Sequence, residues 1–274
     1  MTASDESAGL FGPGSVSWRI DRELMVLAGG SCALLMQAAH PVVAAGVVEH
    51  STYATDPVGR LMRTLESSFD VVFGDRPTAE AAIRRVNAIH RSVRGRLPDG
   101  SPYAATDPEA LLWVHATLVD TALRVHDRFV APLSPAEMQA YHEESGQVAM
   151  LLGVPPDLLP PTIGELRAWM DALMADGTIT VTPEARRIAR SVLQPVRRVP
   201  ATLFEIGHLV SLATLPPTLR AQYGIGWSDA RERGVERLAS LSRWALPWIP
   251  SPMRHAPRAR GADRRVRQVA GSTT

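Results

Sequence analysis

Histidines on apolar helix faces are the residues of this chain best suited to chemistry. His115 lies at the centre of an apolar stripe with helical spacing, and Leu111 and Leu118 lie one turn before and after it. A neutral imidazole is a good ligand for haem iron, and aliphatic neighbours suit an apolar macrocycle lying against the same face. The pattern makes His115 a candidate iron ligand. A core histidine with both ring nitrogens hydrogen-bonded fits the pattern equally well, so this alternative stays open.

Three further histidines are secondary candidates for the same pocket. His40 precedes Pro41, which has no backbone N–H and disfavours helix at the preceding residue. We expect a kink there that aims His40 and His50 at whatever the helix packs against. His90 lies within another apolar helix face. The alternative for each is a hydrogen-bonded polar group at a bend or in the core.

A polar helix face offers a possible second component of the site. Arg60, Arg63 and Thr64 fall on one side of the helix predicted to begin at Asp56. Guanidinium groups bind carboxylates in a forked geometry, so this face suits haem propionates or a polar cavity. The same pattern is typical of a solvated helix face.

Other metal and nucleophile chemistries lack their motifs. A di-iron bundle needs two Glu-x-x-His motifs, and the chain has one, at Glu205 to His208. His142 is not followed by the second histidine of a zincin helix, so we expect its replacement to leave a haem site intact. The single cysteine, Cys32, permits neither an intrachain disulfide nor a cysteine zinc site, and packing is its expected role. Without a Cys-x-x-Cys-His motif, any haem would be held non-covalently.

Composition indicates an ordinary globular protein. Of 274 residues, 45% are hydrophobic and 21% are charged, and the formal net charge of +1 gives no electrostatic case for nucleic acid as a partner. The start of the chain lacks the features of a secretory signal, so a cytoplasmic location is expected. Basic residues crowd Arg254 to Arg267, where we expect a solvated tail, or else weak peripheral contact with an anionic membrane.

Local signals predict an all-α fold in one domain. Side chains that cap helices precede six predicted starts, at Asp56, Asp107, Ser134, Thr162, Thr182 and Ser228. Helix ends are predicted at Gly74, Gly95, Gly153 and Gly177. We expect the uncharged stretch Leu24 to Val48 to be a helix buried in the protein, because Gly, Gln, His and Pro interrupt it as a membrane span. The strand-like run Thr178 to Thr182 permits at most a two-strand ribbon. The predicted organisation is a disordered 1–10, a helical domain at 11–250 and a disordered basic tail at 251–274.

Five motifs together resemble one protein family. They are FGPGSVSW (Phe11 to Trp18), LLMQAAHPVVAAGVVEHS (Leu34 to Ser51), DPVGRLMRT (Asp56 to Thr64), FGDR (Phe73 to Arg76) and LLWVHATLVDTAL (Leu111 to Leu123). The family is that of oxygenase-like proteins related to latex-clearing protein, the rubber oxygenase, and to the fungal membrane-bound oxygenase of mycophenolic acid synthesis. The resemblance extends over about residues 11 to 250.

The resemblance implies a globin-like helical core that holds non-covalent haem b through one histidine, with O₂ activated on the other side. The matching histidine is His115. The rubber oxygenases carry Arg-x-x-Lys-Thr beside the distal pocket, and the matching run here is Arg60-Leu61-Met62-Arg63-Thr64. Because arginine stays charged where lysine can lose its proton, Arg63 should not coordinate iron at rest. This substitution and the missing secretion signal argue against the rubber-cleaving mechanism and favour a smaller, apolar substrate inside the cell.

Three hypotheses follow for the function. The first is a haem b oxygenase or related oxidoreductase that uses O₂ and an unidentified reductant, with iron on His115, with Arg60, Arg63 and Thr64 shaping the distal side, and with His40, His50 and His90 as further pocket residues. The second is a haem carrier, sensor or electron-transfer protein without oxygenase turnover. The third is a helical interaction protein without a cofactor.

Overall fold

Helices make up most of the chain. The computed structural model describes residues 7–52, 56–194 and 200–272. The helices of its first half are α1 (Val16–Asp21), α2 (Leu24–Leu27), α3 (Gly30–Ala38), α4 (Pro41–His50), α5 (Pro57–Phe73), α6 (Arg76–Ser92) and α7 (Pro108–Val125), which runs on into a π-helical turn (His126–Val130). The second half contains α8 (Pro135–Leu151), α9 (Ile163–Ala175), α10 (Pro183–Val192), α11 (Ala201–Thr214), α12 (Pro217–Gln222), α13 (Asp229–Ala245), a 3₁₀ turn (Leu246–Trp248), α14 (Ser251–Arg254) and α15 (Pro257–Ser272). The prediction of an all-α fold is confirmed.

Capping side chains begin the helices where the sequence predicted them. At all six predicted starts the capping side chain accepts a hydrogen bond from a first-turn N–H, and Ser134 and Thr162 form complete capping boxes. The end of α5 at Gly74 is also confirmed. Gly153 and Gly177 follow α8 and α9 with φ of 109° and 86°, a backbone conformation that side chains with a Cβ resist. The prediction for Gly95 is wrong, because α6 ends at Ser92.

The core is organised around α3, which packs against α4, α7, α10 and α11. The buried Trp113 indole on α7 donates to the Met36 carbonyl on α3 over 3.0 Å. At the start of α3 a Cβ on Gly29 would lie 2.6 Å from the Thr121 side chain, so glycine is needed for the close approach of the two helices. These contacts fix α7, and with it His115, against the centre of the fold.

The uncharged stretch Leu24 to Val48 is not one helix, contrary to our expectation. It divides into α2, α3 and α4, because the chain turns at Gly29 and again at the His40-Pro41 step. The expected burial holds for α3, most of which is buried, whereas α2 has no buried residue and α4 buries only Ala44 and Ala45. In the described part of the chain no single helix has the length and apolarity to cross a membrane. The segment that comprises α2 and α3 is bent by 105° relative to α4, and only together do the two parts meet the length and composition requirement.

The two-strand ribbon lies elsewhere than predicted. Strands β1 (Arg94–Arg96) and β2 (Pro102–Ala104) pair antiparallel and join α6 to α7. The run Thr178 to Thr182 is an irregular segment instead. Its β-branched side chains at Ile179 and Val181 are buried, and the Thr180 N–H donates to the Ala39 carbonyl of the α3–α4 turn. Burial against the helical core, and not strand pairing, explains its apolar alternation.

The arginine-rich segment 251–272 is helical, and the prediction of a disordered tail is wrong for these residues. Small side chains of this segment, Ala256, Ala259 and Ala262, are buried in a cluster with Trp18 and Phe73. The Trp18 indole donates to Asp263 over 3.1 Å, which ties α15 to α1. The three-residue spacing of the alanines was hidden by the surrounding arginines. Residues 1–6 and 273–274, also predicted to be disordered, lie outside the described residues.

Candidate functional site

His115 lies in the middle of α7 with a buried ring nitrogen that nothing binds. Its Nε2 has no hydrogen-bond partner among the described residues and no contact with solvent. Burial, together with the charge of nearby His142, lowers the pKa of His115 to about 4. The imidazole is therefore neutral at physiological pH. The alternative in which both ring nitrogens are hydrogen-bonded does not apply, and a buried unpaired nitrogen is costly unless a ligand completes it.

The apolar stripe around His115 is only partly covered. Leu111 is buried, whereas Leu118, one turn after His115, is 51% exposed. The two ends of the stripe therefore differ, with Leu111 in the core and Leu118 in contact with solvent. The exposed leucine places an uncovered apolar surface directly beside the unpaired imidazole, which is a suitable arrangement for a large apolar group.

His142 on α8 is a component of this region that the sequence did not indicate. The side chain is only 2% exposed, and its Nε2 donates to the Pro160 carbonyl over 2.7 Å. Its Nδ1 therefore carries a lone pair, and this buried atom has no partner in the described part of the chain. Helix α8 has no apolar stripe at this point, and two glutamates follow His142, so no pattern along the chain indicates its burial.

A buried polar network holds α8 in place. The Tyr141 hydroxyl donates to Asp21 over 2.8 Å, and the Glu144 carboxylate accepts the N–H groups of Val16 and Ser17 at the start of α1. Burial raises the pKa of Asp21 to about 7, an effect that the Tyr141 hydrogen bond opposes. The residues on either side of His142 in α8 are thus fixed to α1.

His40 is buried, as predicted, and His90 is half-buried. His40 immediately precedes α4, is 8% exposed and keeps a buried Nδ1 without a partner. Burial lowers its pKa, and the Asp107 carboxylate that caps α7 opposes this effect. His40 thus lies near the start of the helix that carries His115. His90 in the last turn of α6 also has a buried, unpartnered Nδ1, and burial lowers its pKa.

His50 lies at the surface, contrary to the expectation that the kink would turn it inward. Helix α4 continues for ten residues beyond the kink, and His50 is its last residue. Its Nε2 donates to the Arg94 carbonyl over 3.2 Å, beside the exposed Glu49. The kink therefore buries His40 alone.

The arginine motif on α5 is divided between a half-buried and an exposed part. Arg60 is half-buried, and burial together with the Arg63 charge lowers its pKa. The Arg63 guanidinium is 59% exposed and bonds Asp56 and Thr52. Thr64 is exposed and donates back to the Arg60 carbonyl. Helix α5 packs mainly against α6 and also contacts α15 and α1. The hydrogen bonds and ion pairs of Arg63 and Thr64 among the described residues are all local and do not reach α7.

Other positions offer no alternative centre. No group of three or more His, Cys, Asp or Glu side chains within residues 7–52, 56–194 and 200–272 has metal-binding geometry. Cys32 is buried and accepts from the Thr121 hydroxyl, and burial raises the pKa of its thiol to about 12, so it packs as a neutral thiol, as expected. An open pocket of about 630 Å³ lies beside the hairpin, with Val42, Tyr103 and Asp107 in its wall. His115 is not part of that wall.

Comparisons with known proteins identify the family of this chain. The chain is 28% identical over 228 residues to the uncharacterized proteins Mb2261 of Mycobacterium bovis and Rv2237 of Mycobacterium tuberculosis, which covers 79% of this chain and 87% of each relative. No solved structure matches the chain significantly. The family model described as "ER-bound oxygenase mpaB/B'/Rubber oxygenase, catalytic domain" matches residues 18–244. The chain therefore belongs to the oxygenase family that includes mpaB and the rubber oxygenases.

Proposed function

We propose that this protein is a haem b-dependent oxygenase that uses O₂ to oxidise a small apolar organic molecule. The observation that carries the proposal is the buried, unpartnered Nε2 of His115, in a chain that belongs to an oxygenase family. His115 would be the axial iron ligand. Its low pKa supports this role, because a neutral imidazole keeps the lone pair that iron requires.

The residues present fit haem b better than a bare metal ion. A metal ion needs several ligating side chains, whereas haem needs one axial histidine and an apolar wall for the macrocycle. Leu118 and Leu111 flank His115 on the same helix and supply apolar surface. When bound, haem with one histidine ligand supplies dioxygen activation and oxygen transfer.

The remaining side chains would set polarity at the edge of the site. Arg60 is half-buried without a hydrogen-bond partner in the described structure, so its charge is free to bind a propionate or a developing negative charge. Arg63 stays charged and does not coordinate iron. His142 would contribute a ring nitrogen close to His115. The pocket roles of His40 and His90 stay predictions from the sequence.

Haem binding is tested first, by titrating the haem-free protein with haem b and recording the Soret band. Wild type is expected to give a saturable Soret band, and His115→Ala is expected to lose it or shift it strongly. His208→Ala is the matched control, because His208 is half-exposed on α11 and stacks on Phe204 with ring centroids 5.8 Å apart. An unchanged spectrum and affinity in His115→Ala would remove the ligand assignment.

Oxygenase turnover is tested separately, by ¹⁸O₂ incorporation into a panel of small apolar compounds with a chemical reductant. Labelled product that depends on His115 would support the proposal. Six-coordinate, bis-histidine iron that excludes carbon monoxide would overturn the oxygenase reading and favour a haem carrier, sensor or electron-transfer protein. Absence of any Soret band would favour a helical interaction protein.

A further inference from the structure

Large apolar side chains protrude from the segment that joins α13 to α14. Trp244 and Trp248 are 70% and 78% exposed, and Leu241 and Met253 are 58% and 73% exposed. We name these four residues the tryptophan surface. They lie within 13 consecutive residues, on the last turn of α13, the 3₁₀ turn and α14. Two tryptophans with most of their surface in water are unusual, because burying an aromatic side chain is strongly favourable.

The tryptophan surface is held outward by a stiff segment. Pro247, Pro250 and Pro252 fix the backbone around Trp248. The 3₁₀ turn is anchored from inside, since Leu246 is 8% exposed and its carbonyl accepts from Arg254 over 3.4 Å. Arg254 is itself fixed to the buried Glu23 carboxylate over 2.8 Å. These contacts fix the backbone so that both tryptophan side chains are held at the surface.

The chain around this surface is strongly basic. Residues 237–272 contain eight arginines and one acidic side chain, Asp263. Asp263 is neutralised by Arg22 and also accepts from the Trp18 indole. Exposed arginines precede and follow the tryptophan surface along the chain, at Arg237 on α13 and at Arg258, Arg264 and Arg267 on α15. Arg258 also forms an ion pair with Asp70 of α5 over 3.6 Å.

We propose that the tryptophan surface and its flanking arginines bind the surface of an anionic lipid bilayer. Tryptophan favours the boundary between lipid headgroups and acyl chains, where its ring is in apolar surroundings and its N–H remains hydrated. Arginines beside it gain from the negative potential of anionic headgroups. Charge complementarity favours an anionic bilayer over a second copy of this chain, because two copies meeting through this surface would bring their arginines together. The protein would rest on the bilayer without crossing it, and this proposal does not depend on haem binding.

The test is vesicle co-sedimentation with the full chain, using phosphatidylglycerol vesicles and phosphatidylcholine vesicles as the two arms. Wild type is expected to bind phosphatidylglycerol vesicles, with a blue shift of tryptophan fluorescence, and to bind phosphatidylcholine vesicles far more weakly. The double variant Trp244→Ser/Trp248→Ser should lose binding by at least about tenfold and lose the blue shift. The double variant Arg264→Gln/Arg267→Gln should weaken binding to phosphatidylglycerol alone, by about fivefold for each arginine that lies near the surface.

Ile89→Ser is the matched control, because Ile89 is 56% exposed on the distant helix α6. It should bind as wild type does. Circular dichroism checks the fold of each variant. If the tryptophan variant does not fold, the loss of phosphatidylglycerol binding in the arginine variant decides the test. Failure of wild type to bind phosphatidylglycerol vesicles would overturn the proposal. So would a stable dimer that Trp244→Ser/Trp248→Ser dissociates, since the surface would then belong to a second copy.

Discussion

Replacement of His115 by leucine is expected to stabilise the haem-free protein while removing its affinity for haem. The His115 Nε2 is buried without a partner, and such a group costs about 1–3 kcal/mol. Leucine has a similar size, has no polar atom and matches the flanking Leu111 and Leu118. We therefore expect His115→Leu to raise the free energy of unfolding by about 1–3 kcal/mol. For a chain of this size each kcal/mol corresponds to roughly 2–4 °C in Tm.

Two measurements on the same preparation follow this substitution. Urea unfolding of the haem-free protein, monitored by far-ultraviolet circular dichroism, gives the free energy of unfolding, and a haem titration gives the affinity. His208→Leu is the control, because His208 is half-exposed and none of its nitrogens is buried and unpaired. The control should stay within about 0.5 kcal/mol of wild type and keep any haem affinity.

The opposite signs of the two effects make the reasoning refutable. If haem-free His115→Leu were less stable than wild type, the imidazole would be making a favourable contact, and the argument from an unpaired nitrogen would fail. If the variant kept the haem affinity of wild type, iron ligation by His115 would fail even with the stability change as expected.

Two further predictions concern titratable groups. Burial raises the pKa of Asp21 from its usual 3.8 to about 7, so between these two pH values the native state holds a proton on Asp21 that the unfolded state has lost. The contribution of the protonated Asp21 to the free energy of unfolding is therefore full below about pH 4 and is lost as the pH rises to about 7. Asp21→Asn, which keeps an acceptor for Tyr141, should remove this slope from the dependence of Tm on pH; parallel profiles would contradict the assignment. Arg60→Leu should stabilise the haem-free protein by on the order of 1 kcal/mol in urea unfolding, because burial and the Arg63 charge both oppose its charged form. Arg63→Leu, at an exposed position, should not, and equal effects of the two variants would refute this argument.

The fold could be predicted from the sequence where local chemistry decides the structure. Each of the six helix starts depends on a side chain and an N–H three residues later, so Asp107 and Ser134 identify their helices without knowledge of the rest of the chain. The errors occur where distant residues decide. The Thr178 to Thr182 segment is irregular because it packs on the core, and residues 251–272 are helical because α15 packs on Trp18 and Phe73.

Only the central residue of the candidate site, His115, could be predicted from the sequence pattern. His115 stands out because its own helix supplies the apolar neighbours that bury it. His142 could not be found this way, since its burial depends on Pro160 and on the contact of α8 with α7. The resemblance pointed to Arg60, Arg63 and Thr64 as neighbours of the site, and their relation to His115 stays a prediction.

The number of buried imidazole nitrogens without a hydrogen-bond partner supports the proposal of a bound ligand more strongly than His115 does by itself. In residues 7–52, 56–194 and 200–272, eight buried side-chain nitrogen or oxygen atoms have no hydrogen-bond partner, and four of them belong to His40, His90, His115 and His142. Stable folds satisfy nearly all such atoms, because each unpaired one costs free energy and returns none. The unpaired ring nitrogens of these four histidines lower the stability of the fold, and such a loss of stability is typical of groups that serve a function. No cluster of metal ligands occurs among the same described residues. A cofactor that needs one imidazole and an apolar wall would complete His115 without the set of ligands that a bare metal ion requires.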